Sequence, residues 1–216
     1  MRWKNPMVIR GLLGVLLTVF VVSCASMPEL KVLYKLPAPS NDLKGKKVFL
    51  AVEDVRETKE LFGEGAKQEF GNYVGNISLS VARYNETGFK IGPFQLPAMV
   101  KEGFKKRLGN AGIEVLSERS HGEPQLLIVI NRFILDLVDR TWIAKMSYEA
   151  KLVRDEKTLA AQIIEGEAER VKVIGRKEAD TVTGEIFTDM VNRLDLLRLF
   201  RQAGLLVTGC ELRVAG

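Results

Sequence analysis

Glu53, Asp54 and Arg56 sit within four positions and are the chain's best-placed set for acid–base or anion chemistry. Paired carboxylates can divide the work of general acid and general base, and an arginine fork can hold a carboxylate or phosphate. The set follows a compact apolar run, Lys47 to Val52, that reads as a central strand after Gly45. Neighbours on an extended strand point to opposite sides, so Glu53 and Asp54 do not converge on one substrate. The expectation is a structural ion pair between Asp54 and Arg56 that fastens the strand-to-loop corner, and no catalytic residue.

Other reactive side chains are sparse. The one histidine, His121, lies in a turn with Ser120, Gly122 and Pro124, and a single imidazole cannot build the clusters of catalytic zinc sites. The two cysteines, Cys24 and Cys210, lack metal-ligand spacing, so no metal and no cofactor is expected. Gly63, Gly65, Gly71 and Gly75 punctuate the stretch 57–76 without the pattern of a phosphate-binding loop, and no Gly-x-Ser-x-Gly turn occurs. That stretch reads as a long loop whose aromatics, Phe62, Phe70 and Tyr73, are the candidate contact residues for a partner. The competing reading is that they pack on the domain's own sheet.

The N-terminus carries the strongest signal. Arg2, Lys4 and Arg10 form a basic start, and the apolar run Gly11 to Val22 leads into Ser23 and Cys24, the layout of a bacterial secretory signal cut before a cysteine. The run falls short of the roughly 20 residues that span a bilayer. An aliphatic residue three before the cysteine and a small one just before it resemble the lipobox of bacterial lipoproteins. The resemblance implies a signal peptide over 1–23 and a lipid anchor on Cys24, whose sulfur would carry diacylglycerol and whose amine a further acyl chain. Cys210 is then left as a lone thiol, with burial its expected fate. Without Arg2, Lys4 and Arg10 the formal charge falls from +5 to +2, which gives no reason to expect nucleic acid as a partner.

The elements that must position these residues can be read in outline. Residues 24–42 carry Pro28, Pro37 and Pro39 and read as a tether, interrupted by a short edge strand where Leu30, Val32 and Tyr34 alternate with lysines. Residues 43–216 are expected to form one domain. Ile77, Leu79 and Val81 alternate with small polar residues as a half-buried strand. Pro97 opens a helix whose Val100, Phe104, Leu108 and Ala111 share a face before Gly112. Strands follow at Ile113 to Leu116 and Gln125 to Leu137. Trp142, Ala144, Met146, Tyr148, Ala150 and Leu152 then alternate with polar residues, and a return strand places Lys145 opposite Glu167 across a three-residue loop. Glu178 to Ala203 reads as one helix with Val182, Ile186, Met190, Leu194 and Leu197 in a stripe, ended by Gly204, and Leu205 to Val214 as a last short strand or packed extension. The fold expected is α+β, a two-layer sandwich with a mainly antiparallel or mixed sheet and two long amphipathic helices on one face.

With the lipobox, the Val52 to Arg56 corner, the helix ending at Gly112, the Trp142 to Arg154 strand and the last amphipathic helix, the chain resembles the YajG-like bacterial lipoproteins. The same order is similar to that of auxiliary lipoproteins of ABC-type envelope transporters. These resemblances imply a lipid-anchored, non-catalytic binding or structural module of the bacterial envelope, or an accessory subunit of a lipid or solute transporter. Its partners would be the membrane, through Cys24, and an envelope protein. Ala25 and Ser26 lack the aspartate that, by resemblance to enteric lipoproteins, retains such proteins in the inner membrane, so the outer membrane, facing the periplasm, is the expected address.

Overall fold

The computed structural model describes residues 28–120 and 122–206. The signal peptide, Cys24, His121, Cys210 and most of the proposed C-terminal extension lie outside the described residues. Twelve elements run in the order β1 (Leu30–Lys35), β2 (Lys47–Asp54), α1 (Glu64–Phe70), β3 (Ile77–Ala82), β4 (Phe89–Phe94), α2 (Leu96–Asn110), β5 (Glu114–Leu116), β6 (Gln125–Val138), β7 (Thr141–Arg154), β8 (Lys157–Val171), α3 (Lys177–Arg193) and α4 (Leu196–Gln202). The class is α+β, and the single sheet expected is two mixed sheets. One has the order β1-β3-β4 and the other β5-β2-β6-β7-β8.

The five-stranded sheet is built around the alternation seen in the sequence. Every second residue of β7, from Trp142 to Leu152, is buried, while the residues between remain partly exposed. The two hairpins that join β6, β7 and β8 turn on two residues each, Asp139–Arg140 and Asp155–Glu156, all four at positive φ between 47° and 66°. Such paired left-handed residues match the twist of the strands they connect, which tightens the expected three-residue loop by one. Lys145 faces Glu167 as the pattern requires, 2.9 Å apart.

The helices lie against this sheet's apolar side. Phe104 of α2 meets Tyr148 edge to face at 5.4 Å, and the Tyr148 hydroxyl donates to the Met190 carbonyl of α3 at 2.8 Å. The helix expected over Glu178 to Ala203 is two. Leu194 leaves helical geometry with ψ at 114°, and Asp195 caps α4 by accepting from the Arg198 N–H at 2.9 Å. Gln162 of β8 clamps that break from both sides, donating to the Asp195 carbonyl at 2.8 Å and accepting from its N–H. An aspartate that can satisfy the free N–H groups of a helix start competes with helix continuation.

The segment read as tether contributes to the core. Leu30, Val32 and Tyr34 are buried, as are Leu36 and Leu43, so the packed body begins well before residue 43. β1 runs parallel to β3 on one side. Its other edge is closed by α3. Lys31 N–H donates to Asp180 Oδ1 at 2.9 Å, Lys35 N–H to Thr188 Oγ1 at 3.1 Å, and Asn192 Nδ2 to the Lys35 carbonyl at 2.9 Å. Asp180, Gly184, Thr188 and Asn192 recur every four residues and form one ridge of the helix. At Gly184 a Cβ would stand 3.0 Å from the Leu33 carbonyl oxygen, so glycine there lets helix and strand approach closely. A strand edge covered in this way offers few free backbone groups for pairing with another chain.

Candidate functional site

A cleft of about 460 Å³ brings together Asp54 and Arg56 of the strand-to-loop corner with Phe62, Phe70 and Tyr73, while Glu53 stays outside it. β2 delivers the charged pair at its C-terminal end, and the segment 57–76 folds back over the end of β6 to deliver the aromatics. That segment, expected as an open loop, contains the helix α1 and a bridge from Phe62 to Leu135 of β6.

Arg56 is 7 % exposed, and the fold occupies its whole guanidinium. Nε and Nη2 donate to the two oxygens of Asp54, each at 2.9 Å. Nη1 donates to the carbonyls of Glu60 at 2.9 Å and Phe133 at 3.2 Å, and Nη2 gives its second hydrogen to Lys59 at 3.3 Å. A guanidinium has five N–H groups, and all five are used, which leaves no fork to hold an anionic ligand. Burial acts to raise the Asp54 carboxyl. Hydrogen bonds from the Arg56 side chain and backbone, the Arg56 charge and a bond from Lys59 outweigh it and hold the group below the usual carboxylate range. Lys59 completes the corner by donating to the Asp54 carbonyl at 2.6 Å and the Arg56 carbonyl at 3.0 Å. Glu53 faces solvent on the other side of the strand. The pair is a clamp on the chain's direction, and its carboxylate is committed to that clamp.

The aromatic trio packs on itself. Phe62 and Phe70 stack at 4.4 Å, Tyr73 lies 4.6 Å from Phe62, and Phe70 meets Trp142 of β7 edge to face at 6.1 Å. Phe62 and Phe70 are buried and Tyr73 is half-buried. The first two therefore extend the core and present no exposed ring to a partner, contrary to the reading of a loop carrying anchors. The Tyr73 hydroxyl is buried without a hydrogen-bond partner among the described residues, and burial, with a smaller contribution from Glu29, raises its pKa. At the mouth, Lys67 is held by Glu60 and Glu64, both at 2.8 Å, and these partners raise its pKa.

The glycines of this segment serve the same folding-back. Asp136 of β6 accepts from the backbone N–H groups of Gly65 at 3.1 Å and Ala66 at 3.3 Å, placing a carboxylate at the first turn of α1. A Cβ at Gly65 would run into the Leu137 carbonyl, and one at Gly63 into the Asp136 carboxylate. The free N–H groups of a helix start attract an anion, and here the protein's own carboxylate fills that place. Among the described residues no group of three metal-ligating side chains comes together. Sequence reasoning missed the Asp180–Asn192 ridge and a second groove of about 790 Å³ beside it, where Leu33 is bordered by Gly88 and Thr181. Small and polar residues at four-residue spacing, next to the apolar stripe of Val182, Ile186 and Met190, were the available signal.

No family model and no curated protein matches the chain. Among solved structures it is similar to the crystal structure of protein XCC0632 from Xanthomonas campestris, described with the family DUF330. Identity is 14 %, the TM-score is 0.48, and the similarity covers 80 % of this chain and 96 % of the other. The family and curated-protein comparisons do not show the expected YajG-like membership.

Proposed function

We propose that the chain is a lipid-anchored, non-catalytic module of the bacterial envelope that binds or braces another envelope protein. The single observation that carries the reading is the basic start, short apolar run and Cys24 at its end. Acyl chains add roughly 0.8 kcal/mol for each buried methylene, so several chains on one residue make release from a bilayer slow. The geometry of the cleft is consistent with a binding or bracing role. Its arginine, carboxylate and lysines are consumed by the fold, and beside them the lining holds the edge of the half-buried Tyr73 ring and aliphatic side chains such as Val74. The outer membrane, facing the periplasm, is the proposed address.

The test is the mass of the N-terminal peptide of protein recovered from native envelopes. A peptide beginning at Cys24 and carrying diacylglyceryl and acyl groups is expected, and Cys24→Ala should abolish both the modification and the cleavage. Wild-type protein recovered water-soluble and unmodified, or still carrying residues 1–23, overturns the reading. Crosslinking in intact envelopes addresses the partner. Capture of a transporter permease would assign the accessory-subunit role.

A further inference from the structure

The end of the molecule at which β1 begins carries an apolar tip in a basic setting. Val171, Val173 and Ile174 are 66 %, 69 % and 83 % exposed, three of the most exposed large apolar side chains among the described residues, and they fall within four positions. Single exposed apolar residues are ordinary, whereas a cluster rimmed by charge marks an interaction surface. The stretch 170–177 reads Arg-Val-Lys-Val-Ile-Gly-Arg-Lys, four basic residues and no acidic one. Arg170 is paired with Glu185 and Lys172 with Glu69, while Arg176 and Lys177 are exposed. Arg140 of the neighbouring hairpin accepts the Lys172 N–H on its carbonyl, which adds a further cation beside Asp139.

The position of this tip follows from the ridge that closes β1. Lys31 meets Asp180 near the start of α3 and Lys35 meets Thr188 and Asn192 farther along, so strand and helix run in the same direction. The start of α3, and the stretch 171–176 that feeds it, therefore lie at the end where β1 begins. Asp180 feels the charges of Lys31, Arg176 and Glu29 together, which places those groups in one neighbourhood. Leu30 follows Cys24 by six residues, a reach of about 20 Å fully extended. The tether expected over residues 24–42 shrinks accordingly, and a lipid on Cys24 would hold this end of the body against the bilayer.

We infer that Val171, Val173 and Ile174 form a second membrane contact, inserting into the headgroup region of an anionic bilayer while Arg176 and Lys177 meet lipid phosphates. The inference rests on the anchor reading for its orientation, but its chemistry is separate: apolar burial at an interface plus attraction to negative lipid. Two membrane signals fix the body's orientation, which one flexible anchor does not.

The experiment places a tryptophan at the tip, as Ile174→Trp, in two forms that both lack residues 1–23: the acylated chain purified from envelopes, and residues 24–216 with Cys24→Ser, which carries no lipid. The chain's other tryptophan beyond the apolar N-terminus, Trp142, is fully buried and gives a constant background. On phosphatidylcholine vesicles containing phosphatidylglycerol, the tip tryptophan is expected to shift to the blue and to be quenched by acyl-brominated lipid. The Cys24→Ser form should bind these vesicles weakly and lose about tenfold or more of that binding in Arg176→Glu/Lys177→Glu or when the anionic lipid is omitted. A Val173→Ser/Ile174→Ser variant, altered only at exposed positions, should lose binding with unchanged thermal stability. An unshifted, unquenched tryptophan on vesicles that hold the acylated chain overturns the proposal, as do crosslinks from position 174 to protein in place of lipid. Failure of the anchor reading would show separately, as a missing acyl mass on the N-terminal peptide.

Discussion

The cleft beneath residues 57–76 and the tip at 171–174 are neighbours, joined by the Lys172–Glu69 pair and by Arg176 lying 5.2 Å over the Phe70 ring, yet they treat their side chains in opposite ways. In the cleft, Arg56, Asp54, Lys59 and Lys67 are all bonded to the fold, and two of three aromatics are core. At the tip, apolar side chains meet solvent and two cations stand exposed. Prominence in the sequence therefore separates poorly from function. Charged and aromatic residues that catch the eye are often those a fold needs to bend its chain, and the surface left open is the one available to a partner.

That contrast can be broken most forcefully at Arg56. Arg56→Ala removes a buried guanidinium and strands the Asp54 carboxylate, so a loss of about 3–5 kcal/mol is expected, seen as a fall in Tm of about 10 °C. Arg56→Lys should recover little, because an ammonium cannot reproduce the fork. The Asp54 pKa is lowered by folding, so its contribution is complete above about pH 4, the unfolded value, and is lost as pH falls through the lower folded value. Wild-type stability should drop in that window, and the drop should flatten in Arg56→Ala. Full stability in Arg56→Ala would mean that the corner is no clamp, and the cleft would again be open to a ligand role.

Gly184→Ala is expected to cost about 1–3 kcal/mol despite the better helix propensity of alanine, because the new methyl presses on the Leu33 backbone. Chemical denaturation measures it, and hydrogen exchange should report looser amides at Lys31 and Lys35. Asp136→Ala should cost about 1 kcal/mol and raise exchange across Glu64–Phe70, since α1 loses the carboxylate at its first turn. The smallest change is Tyr73→Phe. A buried hydroxyl without a partner is better absent, so the variant should equal the wild type or gain up to about 1 kcal/mol. A clear loss there would reveal a hydrogen bond to a group outside the described residues and would move Tyr73 into the functional column.

Legibility tracked the distance over which each feature is decided. The strict alternation of β7, the Pro97 helix and the Lys145–Glu167 pair are local or nearest-neighbour consequences of side-chain period, and they appear where the pattern puts them. β4 was missed because Gly92 and Pro93 interrupt its pattern, and β3 supplies the pairing that makes it a strand. The break at Leu194 was hidden by an apolar stripe that continues through it in register, while Gln162, some thirty residues away, makes the break stable. Arg56 was legible as a partner of Asp54, but its carbonyl acceptors at Glu60 and Phe133 were not.

The sequence by itself determined the α+β class, the antiparallel hairpins and the Asp54–Arg56 pair, because each depends on residue period or on partners a few positions apart. Only tertiary structure decided that the sheet is two sheets, that β1 belongs to the core and that Phe62 and Phe70 face inward. Those outcomes depend on which surfaces meet: the Asp180–Asn192 ridge on the β1 edge, and the folded-back 57–76 segment on the end of β6. Burial is a property of such meetings, and no local pattern encodes the partner that completes them.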